Sequence, residues 1–301
     1  MSKSGKVLLV GDNPFHKISH LSQERTRVRS NAISNPEYAA SLITMSLAHG
    51  ADGFMFSVSE TTLSILEAMR EKEMIGDLSL YAIVPYAYEY VKLATQVGGI
   101  SGLARNFTKR LALSRDLRTM LTGLIGLIKA DPIALMKTYL LYEVHRIKSS
   151  GGKQASVNSL LLHEVITDLA LSLNLDWLFK AYIDIMSRIG ISPGFNTCNF
   201  AYLVRKFEEW HIDLCNMVIA APFNRVGFQM NPSKEECEET LRDMKEPVLI
   251  AISILAAGYL KPLDAIDYVA TLPNLRGVAV GVSKESHARE TFGLLNQKLI
   301  G

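Results

Sequence analysis

Short apolar runs rich in β-branched residues alternate along the chain with stretches whose apolar positions recur every three to four residues. The runs predict strands at Val7–Val10, Gly53–Ser57, Leu80–Val84, Ser156–Leu162, Gly194–Asn199, Met217–Ala221, Val248–Ser253 and Gly277–Val282. The stretches between most of them carry helix signals. "NPEYAASLITMSLAHG" opens on Asn35 and Pro36 and stops at Gly50, while Ser59 and Ser233 stand where N-caps are needed. Behind Ser233 the acidic residues Glu235 and Glu236 suit the positive end of a helix dipole. Eight strands alternating with helices predict an α/β fold, a (β/α)8 TIM barrel in one domain spanning 1–301.

A barrel of this kind needs about 250 residues, and the chain has 301. The surplus lies between the third and fourth strands, where a helical insertion is predicted over 99–152. Nine Lys and Arg residues from Arg105 to Lys148 face only Asp116, Asp131 and Glu143 there. That imbalance fits a solvated helical face, an interface between copies of the chain, a lid over an anionic substrate or a contact with an acidic membrane surface. "SSGGK", Ser149–Lys153, reads as the return into the barrel.

Composition narrows the class. With 48% hydrophobic and 21% charged residues the chain has the makeup of a soluble globular protein. A net charge of +2 gives no argument for nucleic acid. "MLTGLIGLI" is too short to span a bilayer, and no run of about eighteen apolar residues predicts a transmembrane segment. The apolar part of "MSKSGKVLLV" is too short for a signal peptide. Three scattered cysteines, Cys198, Cys215 and Cys237, fit a reducing compartment, so a cytoplasmic protein is expected.

In such a barrel, chemistry sits at the carboxyl ends of the strands. The first strand ends in "GDNPFHKISH", which delivers Asp12, Asn13 and His16, with His20 four residues further on. His16 and His20 could share one helical face with Glu24 and hold a divalent metal. Other strand ends offer Ser57, Ser59 and Glu60; Tyr86 and Tyr88; His163 and Glu164; Asn199; Asn224 and Arg225. His163 directly ends the run "VNSLLLHEV", where a histidine can act as acid, base or hydrogen-bond donor. The candidate catalytic groups are therefore His163, Asp12, His16 and Tyr86, with Asn13, Glu60 and Asn224 as candidate substrate-pocket residues. Asp12, His16 and His163 are expected in one pocket; the structural alternative is a turn in which Asp12 and Asn13 staple the backbone ahead of Pro14.

The second half of the chain resembles the aldo-keto reductase superfamily. "VNSLLLHEV" is similar to its fourth strand, "TCNFAYLVRKFEEW" to the end of its fifth, "EPVLIAISILAAGYLKPLDAIDYV" to its seventh strand and helix, and "LRGVAVGVSKESHARETFGLL" to its eighth strand and the following helix. The likeness runs in register over roughly residues 155–300 and is architectural before that. It implies that His163 lies in the substrate pocket and that Asn199 holds a nicotinamide carboxamide. It also implies that Ser283, Lys284 and Arg289 meet the adenine-side phosphate of NADP(H). The family's catalytic aspartate and lysine are missing: the second strand reads "FMFSVSE" and the third "AIVPYAYEY". Without a lysine beside it, a tyrosine such as Tyr86 keeps a pKa near 10.

Three functions follow from these features. One is a divergent NADP(H)-dependent oxidoreductase acting on a small carbonyl or alcohol. The second is a non-redox lyase, isomerase or metal-dependent hydrolase that uses Asp12, His16, His20 and His163. The third is a barrel that binds a small molecule or a partner without catalysis, since fold alone does not fix function.

Overall fold

A computed structural model describes residues 6–16, 35–76, 78–85, 131–244 and 248–301. Eight parallel strands close into a barrel in chain order: β1 Val7–Gly11, β2 Gly53–Ser57, β3 Ser79–Val84, β4 Ser156–Leu162, β5 Ser192–Asn196, β6 Val218–Pro222, β7 Val248–Ile252 and β8 Gly277–Gly281. β8 pairs back onto β1, with Val7 opposite Gly277 and Gly11 opposite Gly281. Around the strands, among the described residues, run the helices α1 Pro36–Ala48, α2 Glu60–Glu71, α3 Pro132–Gly151, α4 Glu164–Ser172 and α5 Asp176–Ile189. They are followed by α6 Phe200–Glu209, α7 Lys234–Asp243, α8 Pro262–Thr271 and α9 Glu285–Leu299. The fold is a (β/α)8 TIM barrel.

The helices begin where side chains can satisfy their first N–H groups. Asn35 accepts from Glu37 N at 2.8 Å ahead of Pro36. Ser59 and Thr62 form a reciprocal capping box. Asp131 accepts from Ile133 N and Ala134 N, and Ser233 from Glu236 N.

Alternation along each strand divides two cores. Inside the barrel, Leu9, Met55, Tyr81, Ile83, Leu161, Val218, Ala220, Ile250 and Ala279 pack together. Between barrel and helices lies the larger core, where Phe195 meets Phe179, Tyr182 and Phe207 edge-on or tilted. The Tyr182 hydroxyl, fully buried there, donates to the Leu160 carbonyl.

The segment predicted as an insertion divides differently from its expected bounds. Its last part, α3, packs against α2 and α5 and is the ring helix between β3 and β4. Arg146 on α3 bridges the fully buried Glu143 at 3.0 Å and Glu60 on α2 at 2.8 Å. Arg70 donates to the Ser149 carbonyl at 2.6 Å, and Ser150 to Glu67 at 3.0 Å. Ser149 to Gly151 are thus the last turn of a docked helix, not a linker. The remainder of 99–130, with its basic residues, lies outside the described residues.

Several strand ends also shift, most of them by one residue. β5 stops at Asn196, three residues short of the predicted Asn199. β7 stops at Ile252, because Ser253 takes a left-handed φ of 54°.

Close strand contact at the start of β2 depends on Gly53. A Cβ there would lie 2.2 Å from the Ser79 carbonyl oxygen and 3.0 Å from Leu9 Cδ2. Backbone cannot move aside without breaking the β2–β3 ladder. Gly53→Ala is therefore expected to lower the unfolding free energy by about 3 kcal/mol, at the upper end for overpacking. A urea midpoint equal to that of the wild type would show that the strands can part at this level.

Candidate functional site

The turn after β1 is shaped by packing and closed by hydrogen bonds. Phe15 is buried and donates its N–H to the Asp12 carbonyl at 2.8 Å. Pro14 lies over the end of β8 so closely that a Cβ on Gly281 would sit 2.7 Å from the proline ring. This packing turns the Asp12 side chain toward β2. Its Oδ2 accepts from Ser57 N at 2.7 Å and stands 3.0 Å from His16 Nε2. The side chains of His16 and Asp12 are only 5% and 8% exposed. Asn13 is exposed at the tip of the turn. The aspartate thus does staple the turn, but to the neighbouring strand rather than to the backbone ahead of Pro14.

On the opposite side of the mouth, His163 follows β4 and caps α4. Its N–H donates to the Val84 carbonyl at 2.7 Å, and its Nδ1 accepts from Val165 N at 3.2 Å. With Nδ1 an acceptor, the neutral ring carries its proton on Nε2. Burial pushes the imidazole below its usual value, against the pull of the Glu164, Asp12 and Asp168 carboxylates. Asp12 is near enough to His163 to act on its protonation, so the structure brings Asp12, His16 and His163 to one end of the barrel.

Behind His163 is a polar cluster for which the sequence offered no motif. Asp168, on α4, accepts from the Thr197 hydroxyl, from Cys198 N at 3.1 Å and from the Asn199 side chain. Burial raises its carboxyl above the ordinary aspartate range, and these donors oppose that rise. Cys198 lies 3.8 Å from Glu164 Oε2. Burial, then Glu164 and Asp168, push its thiol up to about 12, so it stays a thiol rather than a nucleophilic thiolate. Asn196, the last residue of β5, is 7% exposed, and its Oδ1 has no hydrogen-bond partner among the described residues.

Other candidates are placed elsewhere. Asn224 is fully buried and spends its amide on Phe228, donating to the carbonyl and accepting from the N–H, each at 2.8 Å. It closes a loop instead of lining a pocket. Glu60 is 69% exposed and reaches Arg146 in the helix ring. Asn199 is not at a strand end; it is the residue before α6, and its side chain reaches Asp168. Arg289 lies along α9, 3.3 Å from Glu285 and 3.4 Å from Met45 Sδ. Ser283 Oγ is 3.2 Å from His287 Nδ1, while Lys284 is exposed beside the uncapped N-terminus of α9. Tyr86, Tyr88 and His20, and with them the tyrosine and paired-histidine metal candidates, lie outside the described residues. Among the described residues, no cluster of three or more His, Cys, Asp or Glu is arranged to hold a metal, and no helix is long and apolar enough to cross a membrane.

Comparison with known proteins supports the architecture. No protein-family model and no curated protein matches the chain. Among solved structures, two chains from Pseudomonas aeruginosa, both provisionally named aldo-keto reductases, are similar. One has a TM-score of 0.57 at 11% identity, covering 99% of this chain and 94% of its own. The other has a TM-score of 0.59 at 12% identity, covering 99% and 93%. At such identities the similarity is one of fold.

The protonation of His163 sets a pH dependence. Its folded pKa lies below the ordinary 6.5. Between those two values the unfolded chain holds a proton that the folded chain does not, so stability falls as pH drops below about 6.5. Urea unfolding between pH 7.5 and pH 5 should show a shallower loss in His163→Gln than in the wild type. Identical slopes would mean that His163 carries no such penalty.

Proposed function

We propose that the protein is an enzyme that moves protons on a small carbonyl or hydroxyl compound at the carboxyl-terminal mouth of the barrel. The observation that carries this reading is the nearly buried Asp12–His16 pair, held on the Ser57 backbone, with Asp12 close enough to His163 to act on its protonation. A carboxylate that orients an imidazole supplies a positioned proton acceptor, as general base catalysis requires. His163, with its proton on Nε2, is a neutral donor suited to polarise a carbonyl oxygen without being consumed as an acid. Glu164 and Asp168 behind it favour a proton on the ring, while burial opposes this. The interior below the mouth is apolar, which strengthens these interactions by excluding water.

A second reading, a nicotinamide-dependent oxidoreductase, is favoured by the fold similarity and by the segment after β8. The phosphate end fits NADP(H): exposed Lys284 stands with Ser283 at the uncapped N-terminus of α9, which favours an anion. At that same end Arg289 already pairs with Glu285, while at the nicotinamide end Asn199 shares its amide with Asp168, which leaves one N–H and the Oδ1 for a carboxamide. No hydride step is derived from these residues.

Proton transfer can be tested without knowing the physiological substrate. In D2O, with small ketones and hydroxyketones as probes, the wild type should exchange α-hydrogens for deuterium, followed by proton NMR. Asp12→Asn should slow this by about a hundredfold or more, the usual contribution of a positioned base. Equal exchange in wild type and variant would remove the proposed role of the pair. For the second reading, NADPH fluorescence should change on titration with protein and recover on adding NADP. A flat titration would count against the cofactor.

A further inference from the structure

Beyond the Asp12–His16 pair, the mouth holds a buried polar atom without a partner among the described residues. Gly194 on β5 faces the barrel interior, where a Cβ would meet Leu161 Cγ at 2.5 Å and Ser159 Oγ at 2.7 Å. Phe195 faces outward into the aromatic core. By alternation Asn196 points inward again, at the level where the apolar filling ends. It is nine-tenths buried, yet its Oδ1 has no partner among the described residues. A buried acceptor without a donor destabilises a fold, so its presence at a strand end calls for something that satisfies it.

His163 is its immediate neighbour. Leu162 is paired with Phe195, so His163 and Asn196 stand one step further along adjacent strands, about 4.8 Å apart at the backbone. Val165 N–H occupies Nδ1 of His163, which leaves Nε2–H as a donor. A donor and an unsatisfied acceptor therefore belong to neighbouring residues at the carboxyl ends of β4 and β5.

From this juxtaposition we infer that His163 and Asn196 form a paired subsite for a hydroxycarbonyl compound, the carbonyl oxygen accepting from His163 Nε2–H and the adjacent hydroxyl donating to Asn196 Oδ1. The inference rests on the proton-transfer reading above for its choice of a carbonyl ligand. It adds what that reading leaves open: selection for a hydroxyl next to the carbonyl. A primary carboxamide presents a similar acceptor and donor edge, but it offers no α-hydrogen flanked by carbonyl and hydroxyl for the Asp12–His16 pair to take.

Hydroxyacetone, acetone and acetamide serve as probes in ligand-observed NMR titrations of the full-length protein. The wild type should bind hydroxyacetone about tenfold more tightly than acetone, the worth of one well-made hydrogen bond, and more tightly than acetamide. Asn196→Leu should abolish the preference while the ligand-free protein melts at the same temperature or higher, because the unsatisfied oxygen is gone. If the leucine is too bulky to fold, Asn196→Ala reads the same loss of preference. The inference is overturned if the wild type does not distinguish hydroxyacetone from acetone, if acetamide binds best, or if a folded variant keeps the preference. It is also overturned if folded Asn196→Leu melts several degrees lower, which would mark the amide as structural. Binding selectivity is read separately from deuterium exchange in Asp12→Asn, so failure of the subsite and failure of the proton-transfer reading remain distinct outcomes.

Discussion

The Asp12 carboxylate ties the ends of two strands to a side chain. One oxygen takes the Ser57 N–H at the end of β2 and faces His16 Nε2 at the end of the β1 turn. The bond to Ser57 fixes the turn that Pro14 and Phe15 begin by packing, and the turn in turn fixes His16. Gly281 must lack a side chain for Pro14 to lie where it does. The mouth is therefore built on covalent neighbours of strands, rigid elements that hold a polar group more narrowly than a long loop would. A buried carboxylate with two partners is also costly to leave half-satisfied, so the same bonds that position the group oblige the strands to keep their register there.

The far side of the mouth works by a different balance. His163, Glu164 and Asp168 crowd together, and two acidic groups beside an imidazole would ordinarily favour its protonation. Burial wins for His163, whose pKa is lowered, and it also wins for Asp168, whose pKa is raised. Both shifts move the cluster toward less charge, as a low-dielectric setting demands. The donors from Thr197, Cys198 and Asn199 keep Asp168 from losing its charge more readily, and in doing so they hold the start of α6 against α4. One N–H of the Asn199 amide is thereby engaged. A residue that the family resemblance suggests for a cofactor serves to position the β5–α6 turn, and the strand end passes to Asn196.

The barrel was legible because it rests on periodicity. Apolar runs such as Val7–Val10 and Ser156–Leu162 can be buried in only one way when helices separate them. The strand-end histidine and the polar turn after β1 were legible for the same reason, since strand ends define the mouth. Residues whose roles depend on distant neighbours were not. Asp168 is one polar residue on an amphipathic helix until Thr197 and Cys198 fold onto it. Asn224 reads as a polar loop residue, yet Phe228 consumes its amide. Ser149 to Gly152 has the composition of a linker, but Arg70 and Glu67 hold its first residues against α2. Asn196 looked like mid-strand because "FNTCNF" carries no turn signal before Asn199, and the left-handed Ser253 had no glycine to announce it.

The account stands on His163 being a neutral donor within electrostatic reach of Asp12. Long-range proton–nitrogen NMR of histidine-labelled protein at pH 7, assigned with His163→Gln, reads this directly. A His163 ring protonated on Nε2 alone, whose signals shift when Asp12 becomes Asn, is the result the account predicts. A doubly protonated ring, a proton on Nδ1, or signals indifferent to Asp12 would contradict it.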